Sequence, residues 1–144
     1  MTRPYTIPFA ASLLLFAAAA ASAADLTITV KDVRSTDGAV FIAVYDSDST
    51  FMNPQHAKFT SRASAVKGEV KFVFHNVPSG KYAVTSYHDE NGNGKLDTNA
   101  VGFPTEGVGF SNEAKVRSGP PSFAEAAFDF DGKADKAIAF SVTY

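Results

Sequence analysis

The chain has 144 residues, of which 45% are hydrophobic, with a formal net charge of -2 and no cysteine. This length predicts one domain. A slightly acidic protein lacks the basic field that neutralises phosphates, so nucleic acid is not an expected partner. The absence of cysteine excludes disulfides, thiolate nucleophiles, iron–sulfur clusters and cysteine-ligated zinc.

The N-terminal segment has the pattern of a secretory signal peptide. Arg3 is its only charge, residues 9–21 are apolar apart from Ser12, and an Ala-Ser-Ala triplet ends at Ala23. The apolar run is shorter than the roughly 20 residues that span a bilayer. We therefore predict cleavage after Ala23, one domain over residues 24–144, a periplasmic or secreted location, and no membrane span in the mature protein.

Period-two alternation of apolar side chains predicts β-strands along most of the remaining chain. Turn residues at 35–38 and at 78–80 lie between such segments, so we expect two hairpins there. The last segment is expected to insert between other strands. The fold class that follows is all-β, an antiparallel two-sheet β-sandwich of immunoglobulin-like type. Its predicted core comprises Leu26, Ile28, Val30, Ile42, Val44, Phe72, Phe74, Val84, Ile138, Phe140 and Val142.

Three segments depart from the strand pattern. Residues 46–66 are polar and irregular, which predicts a long connection with at most a short helical turn. Ser122 and Glu125 have the spacing of a capping box and predict one short helix near the C-terminus. Residues 88–115 form a long loop after a central strand, and this loop contains the most distinctive motif of the chain.

The front of that loop has the spacing of half a calcium-binding loop. Oxygen ligands at positions one, three and five converge on a hard cation, and a glycine at position six allows the sharp turn. Position seven contributes a backbone carbonyl, and position nine binds directly or through water. The predicted ligands are Asp89, Asn91, Asn93, Lys95 through its carbonyl, and Asp97.

The coordination sphere is incomplete within this segment. Position twelve, where a calcium loop of this type has a bidentate glutamate, is Ala100. Glu106 is the first choice to complete it, with Asp131 or water as alternatives. We expect weak calcium affinity, on the order of 10⁻⁴ to 10⁻³ M. The competing interpretation is a metal-free Asn-Gly turn held by side-chain hydrogen bonds.

The back of the loop and the remaining polar residues allow further interpretations. Phe103 and Phe110 either plug the core or form an exposed lip for a peptide, glycan or lipid tail. The three histidines have no zinc-ligand spacing. Ser111 lacks the second glycine of a nucleophile elbow, so no catalytic residue is predicted.

Three motifs, GKYAVTSYHDENGNGKLDTN, GFPTEGVGFSN and PPSFAEAAFDF, resemble an exported bacterial family known as domain of unknown function twenty-one forty-one. The likeness extends from about Leu26 to Tyr144 and implies a transthyretin-like or prealbumin-like β-sandwich. Asp89, Asn91, Asn93 and Asp97 are also similar to the calcium loops of B-repeat sandwiches in surface proteins.

The leading functional hypothesis is a non-enzymatic interaction or structural module, stabilised by calcium, with a protein, glycan or cell-envelope partner. The first alternative is a small periplasmic hydrolase or isomerase. The second is a binder of hydrophobic small molecules. In both alternatives the site would lie under the 88–112 loop.

Overall fold

The computed structural model describes residues 23–144. The predicted signal peptide, except for Ala23, lies outside the described residues. Within residues 23–144, no helix has the length and apolar character needed to cross a membrane.

Strands account for most of the regular structure between residues 23 and 144. The strands are β1 (Ala23–Val33), β2 (Ala39–Tyr45), β3 (Phe59–Ser64), β4 (Gly68–Pro78), β5 (Gly80–Asp89), β6 (Gly107–Phe110), β7 (Phe128–Phe130) and β8 (Lys136–Ser141). A short helix, α1 (Phe123–Ala126), precedes β7, and 3-10 turns occur at Pro54–His56 and Ser111–Glu113.

The strands form two sheets that pack face to face. One sheet has the order β4-β1-β8, and the other has the order β3-β2-β5-β6 with β7 also pairing with β5. The predicted β-sandwich with one short helix near its C-terminus is therefore confirmed. One pair departs from the antiparallel expectation, because β1 and β8 run parallel.

Both predicted hairpins are wrong. β1 pairs with β4 and β8, whereas β2 pairs with β3 and β5, so the turn at residues 34–38 crosses from one sheet to the other. The turn between β4 and β5 crosses in the same way. Alternation of apolar residues indicates which face of a strand is buried and carries no information about its hydrogen-bonded neighbour.

Two further expectations about strands are corrected. The last strand, β8, lies at an edge of the three-stranded sheet instead of between two strands. The irregular 46–66 segment contains β3, whose inward positions are Phe59, Ser61 and Ala63. Small and polar residues at two of these three positions weaken the apolar alternation that identifies a strand from sequence.

The core forms where the inward faces of both sheets meet. Nine of the predicted core residues are buried, and the two exceptions, Phe74 and Ile138, are half-buried and pack against the same cluster. Leu26, Ile28 and Val30 are fully buried, as their alternation along β1 predicts. The predicted capping box is also confirmed, because Ser122 Oγ accepts the N–H of Glu125 and the Glu125 carboxylate accepts the N–H of Ser122.

Two glycines allow the C-terminal segment to pass close to β6. A Cβ at Gly107 would lie 2.5 Å from the ring of Tyr144, and one at Gly109 would lie 2.7 Å from the carbonyl oxygen of Ser141. Val108 and Thr143 exchange backbone hydrogen bonds of 2.9 and 2.8 Å at this crossing. The end of the long loop is therefore attached to the end of the chain.

Candidate functional site

The candidate site is the loop that leaves β5 at Asp89 and returns to β6 at Gly107. β5 lies between β2 and β6 in the larger sheet, so both ends of the loop are held by paired strands. Asp89 itself pairs with Ala39. The loop thus extends from strands that are hydrogen-bonded to their neighbours in the sheet.

Asp89 is fully buried and organises the first turn of the loop. Its Oδ1 accepts the N–H groups of Gly92 and Asn93 at 2.9 and 3.1 Å. Its Oδ2 accepts the N–H of Gly94 at 2.8 Å. The buried Asp89 carboxylate is thus satisfied by three backbone donors of an irregular turn whose residues are themselves exposed.

The predicted ligands at positions three, five and nine come together. The Nδ2 groups of Asn91 and Asn93 both donate to the carboxylate of Asp97, at 2.5 Å for Asn91 and at 2.9 and 3.0 Å for Asn93. These hydrogen bonds, led by those from Asn93, hold the pKa of Asp97 below its ordinary value. Asp97 is therefore ionised at neutral pH, as a cation ligand must be.

The amide oxygens of the same asparagines accept hydrogen bonds from backbone N–H groups. Asn91 Oδ1 accepts the N–H of Asn93 at 3.0 Å, and Asn93 Oδ1 accepts the N–H of Lys95 at 3.1 Å. These are the side-chain turns that asparagine favours. Each amide oxygen has a second lone pair beyond the one used here.

Glu106 closes the loop from its far end. Its side chain is buried, Oε1 accepts the N–H of Glu90, and Oε2 accepts the N–H of Asp97, both at 3.0 Å. The carboxylate thus ties the beginning and the middle of the loop to the start of β6. Asp131 is placed elsewhere, in the exposed turn after β7, where it accepts the N–H of Lys133.

Among residues 23–144, no three His, Asp or Glu side chains converge as a metal centre built only from those groups would require. The predicted set contains three carboxylates, those of Asp89, Asp97 and Glu106, and they do not converge in this way. Its other members are two asparagines and one backbone carbonyl. A cation in this loop would therefore depend on neutral oxygens as much as on carboxylates.

An ion pair joins the β1–β2 turn to the start of the loop. Arg34 Nε donates to Glu90 Oε1 at 2.8 Å, and its Nη2 donates to Oε2. This two-point contact with Arg34 holds the pKa of Glu90 below its ordinary value. The Arg34 guanidinium also lies over the ring of Tyr144, 4.1 Å from its centroid.

His88 is fully buried directly before the loop. Its Nε2 lies 2.7 Å from the carbonyl oxygen of Asp37, and its Nδ1 lies 2.7 Å from the hydroxyl of Tyr144. Because a carbonyl oxygen only accepts, Nε2 carries a proton and donates to Asp37. The imidazole therefore connects three distant parts of the chain at the loop's base.

The structure corrects the expectation that Phe103 and Phe110 plug the core. Phe110 is buried, in a second apolar cluster with Ala83 and Ala126 on the outer face of the larger sheet. Phe103 does not plug the core, because it is 46% exposed. Its backbone instead pairs with Asn99, which accepts the N–H of Phe103 and donates its own N–H to the Phe103 carbonyl.

Ser111 makes hydrogen bonds that join elements of the fold. Its hydroxyl is buried, donates to the carbonyl of Ala126 at 2.5 Å, and accepts the N–H of Val84 at 2.9 Å. It thereby connects β5 to α1.

The structure also contains a groove that no motif in the sequence predicts. The outward positions of β2 and β5 include Phe41, Ala43, Tyr45 and Tyr87, and these line an apolar groove on the outer face of the larger sheet. The loop contributes one wall through residues 94–96. The sequence feature that indicates the groove is the apolar character of both faces of β2, because only one of these faces contacts the sandwich core.

Comparison with known proteins identifies a family and no relative of known activity. Residues 28–138 match the profile of an uncharacterized protein family conserved in bacteria, DUF2141. No curated protein and no solved structure matches the chain. The match covers more than half of the chain, from β1 into β8, and confirms the resemblance found in the sequence. The chain therefore belongs to the bacterial family DUF2141.

Proposed function

We propose that this protein is an exported, non-enzymatic β-sandwich module whose 89–97 loop binds calcium. The observation that carries the proposal is the convergence of Asn91, Asn93 and Asp97 above a turn organised by the buried Asp89. Turn formation uses Asp89, the glycines and the amide oxygens of Asn91 and Asn93. It does not require the amide nitrogens of the two asparagines to contact a second carboxylate.

Calcium binding requires a specific rearrangement of this cluster. The amides of Asn91 and Asn93 present N–H groups to Asp97, and a cation requires oxygen atoms at those positions. Rotating each amide by 180° exchanges nitrogen for oxygen with little change of shape. The rotation also breaks the turn hydrogen bonds that the two oxygens accept, and this cost favours the weak affinity expected from the sequence.

The ion would act on loop order. Asp89 ends β5, and Glu106 joins Asp97 to the start of β6. A cation shared by Asp89 and Asp97 would hold residues 90–105 against two paired strands. We infer that the ordered loop provides a binding surface of fixed shape for a protein, glycan or cell-envelope partner.

Thermal unfolding in calcium, in magnesium and in chelator tests the metal site. At a calcium concentration ten times the dissociation constant, stabilisation is RT ln 11, about 1.4 kcal/mol. Magnesium should stabilise much less, because it demands a near-octahedral shell and retains its waters. An equal melting temperature in millimolar calcium and in chelator would overturn the calcium site and favour the Asn-Gly turn.

Export has a separate test. The protein is expressed with its N-terminus intact in a Gram-negative bacterium, and its mass is measured in the periplasmic and cytoplasmic fractions. Cleavage after Ala23 predicts a periplasmic species that begins at Ala24. An uncleaved chain confined to the cytoplasm would contradict export without affecting the calcium site.

A further inference from the structure

The groove on the outer face of the larger sheet has the size of a small-molecule site. Its volume is about 650 Å³, within the range of roughly 300 to 1,000 Å³ found for ligand pockets. β2, β3, β5 and β6 form its floor, and the 52–54 and 94–96 segments form its walls. A sheet face that is apolar, concave and walled by two loops is shaped to exclude water from a ligand.

The groove has two chemically different ends. Near the loop, the rings of Phe41 and Tyr87 stack with centroids 4.8 Å apart and planes 1° from parallel. The Tyr87 hydroxyl donates to the carbonyl of Gly94 at 3.3 Å, which places the loop wall at this end. The opposite end is lined by Tyr45 and Met52, and Met52 is 42% exposed despite its apolar side chain.

Within residues 23–144, all of the charge lining the groove is positive. Arg62 pairs across the sheet with Phe41, and its guanidinium lies over that ring, 5.2 Å from the centroid. Lys95 lines the groove directly after Gly94, so both cations lie at the loop end. No Asp or Glu from the described part of the chain lines the groove.

Neither cation forms a salt bridge within residues 23–144. The Lys and Arg side chains that do so in that part of the chain are Lys31, Arg34, Lys58, Lys81, Lys115 and Arg117. Two such cations at one end of an otherwise apolar groove are complementary to a ligand with an anionic head and an apolar tail.

We propose that this groove binds a single-chain amphiphile with a carboxylate headgroup, such as a medium-chain fatty acid. The carboxylate lies between Arg62 and Lys95, and Arg62 presents the two-point donor geometry that carboxylates favour. The hydrocarbon tail follows the outer face of β2 toward Tyr45 and Met52. Paired strands form the floor of the groove, so the tail site and Arg62 do not depend on the calcium proposal. Lys95 belongs to the 89–97 loop, so an ordered loop should strengthen binding of the headgroup.

Calorimetric titration with decanoate, below its micellar concentration, tests the site. Decyltrimethylammonium is the matched probe, because it has the same tail and the opposite charge. We expect decanoate to bind at least about tenfold more tightly, as complementary charge at a partly desolvated headgroup predicts. Amide chemical-shift changes should map to β2, β5 and residues 94–96. Each titration is repeated in calcium and in chelator, and binding should persist in chelator.

Variants separate the headgroup site from the tail site. Arg62→Gln should weaken decanoate binding about tenfold and leave decyltrimethylammonium binding unchanged or stronger. Lys71→Gln, which neutralises an exposed lysine of β4 in the other sheet, is the matched control and should have no effect. Ala43→Leu fills the groove floor and should weaken both probes. Melting temperatures near that of the unmodified protein establish that each variant folds.

Four results would contradict the proposal. Equal affinity for the two probes would remove the carboxylate specificity. Shift changes confined to residues outside the groove would place the ligand elsewhere. Binding to vesicles that contain anionic lipid, with no binding of monomeric decanoate, would identify a membrane surface as the partner. Loss of decanoate binding only in chelator would show that the groove requires the metal, and would contradict the independence of the two sites.

Discussion

Gly38 lies against the backbone carbonyl of Asp89 so closely that a Cβ at position 38 would come within 1.8 Å of the oxygen. The turn that carries the chain from one sheet to the other thus packs directly on the first residue of the long loop. His88 reinforces the contact by donating to the carbonyl of Asp37. The shape of the loop therefore depends on a segment about 50 residues earlier in the chain.

Gly38→Ala should strongly destabilise the protein. The residue has φ +67°, a conformation that costs a non-glycine residue about 1 to 2 kcal/mol, and the new methyl group would also displace Asp89. Gly92→Ala is the matched control, because φ is +73° there and no other side chain or backbone atom lies within 4 Å of where the new methyl group would be. Denaturant unfolding in chelator should show a loss for Gly38→Ala at least about 2 kcal/mol larger than for Gly92→Ala. Equal losses would mean that the contact with Asp89 is unimportant.

Asp89 and Asp97 should respond differently to replacement by alanine. Asp89→Ala leaves the N–H groups of Gly92 and Gly94 without their acceptor, whereas that of Asn93 keeps Asn91 Oδ1, so it should cost about 2 to 4 kcal/mol even in chelator. Asp97→Ala should leave the melting temperature in chelator nearly unchanged and abolish the calcium response. Thermal melts of both variants, with and without calcium, measure the difference. A calcium response that survives in Asp97→Ala would exclude position nine as a ligand.

Glu106→Ala should open the loop. The carboxylate accepts the N–H groups of Glu90 and Asp97, so its removal frees the middle of the loop while the sandwich core persists. Limited proteolysis should show faster cleavage between Glu90 and Asn112, in chelator most of all, and slower cleavage of the unmodified protein in calcium. Asp131→Ala, at an exposed turn outside the loop, is the control. Equal cleavage rates for the two variants would contradict the closing role of Glu106.

Part of the stability that the folded protein loses at acid pH should depend on Arg34. The Arg34 contact lowers the folded-state pKa of Glu90 below its ordinary value of 4.5. A carboxyl group with a depressed folded-state pKa stabilises the protein above its unfolded pKa, and this contribution disappears as the pH falls through the folded value. Arg34→Gln should therefore lower the melting temperature at pH 7 and have a smaller effect at pH 3.

Arg117→Gln is the matched control for the pH experiment. The distance between Arg117 Nη1 and Glu125 Oε1 is long, 3.8 Å, and both side chains are at least half exposed. The pKa of Glu125 is lowered chiefly by its hydrogen bonds with Ser122. Removal of Arg117 should change the melting temperature little at either pH. If Arg34→Gln has the same effect at pH 7 and pH 3, its contribution comes from packing on Tyr144 and not from the ion pair.

Several local features were predictable because their causes lie within a few residues. The alternation of Leu26, Ile28 and Val30 identifies the buried face of β1, since successive side chains of a strand point to opposite faces. The capping box at Ser122 identifies α1, since both of its hydrogen bonds join residues three apart. The spacing of Asn91, Asn93 and Asp97 brings these three side chains into contact for the same reason.

Other features arise from residues far apart in the chain. Glu106 is a candidate metal ligand from its position in the loop, but its hydrogen bonds to Glu90 and Asp97 depend on where β6 pairs with β5. One interpretation places the ring of Phe103 in the core, yet the side chain is 46% exposed and its backbone pairs with Asn99. No sequence pattern within the loop predicts the hydrogen bonds of Glu106 or the exposure of the Phe103 ring.

The sequence by itself determined the fold class, the buried face of most strands and the contact of Asn91 and Asn93 with Asp97, because each follows from periodicity or spacing within a short segment. The family followed from the resemblance of three motifs. Tertiary structure decided which sheet each strand joins and where the groove forms. The groove brings Arg62 and Phe41 together with Lys95, from two strands and a loop. Strand pairing between distant segments is a property of the whole sheet, and the alternation within one strand does not specify it.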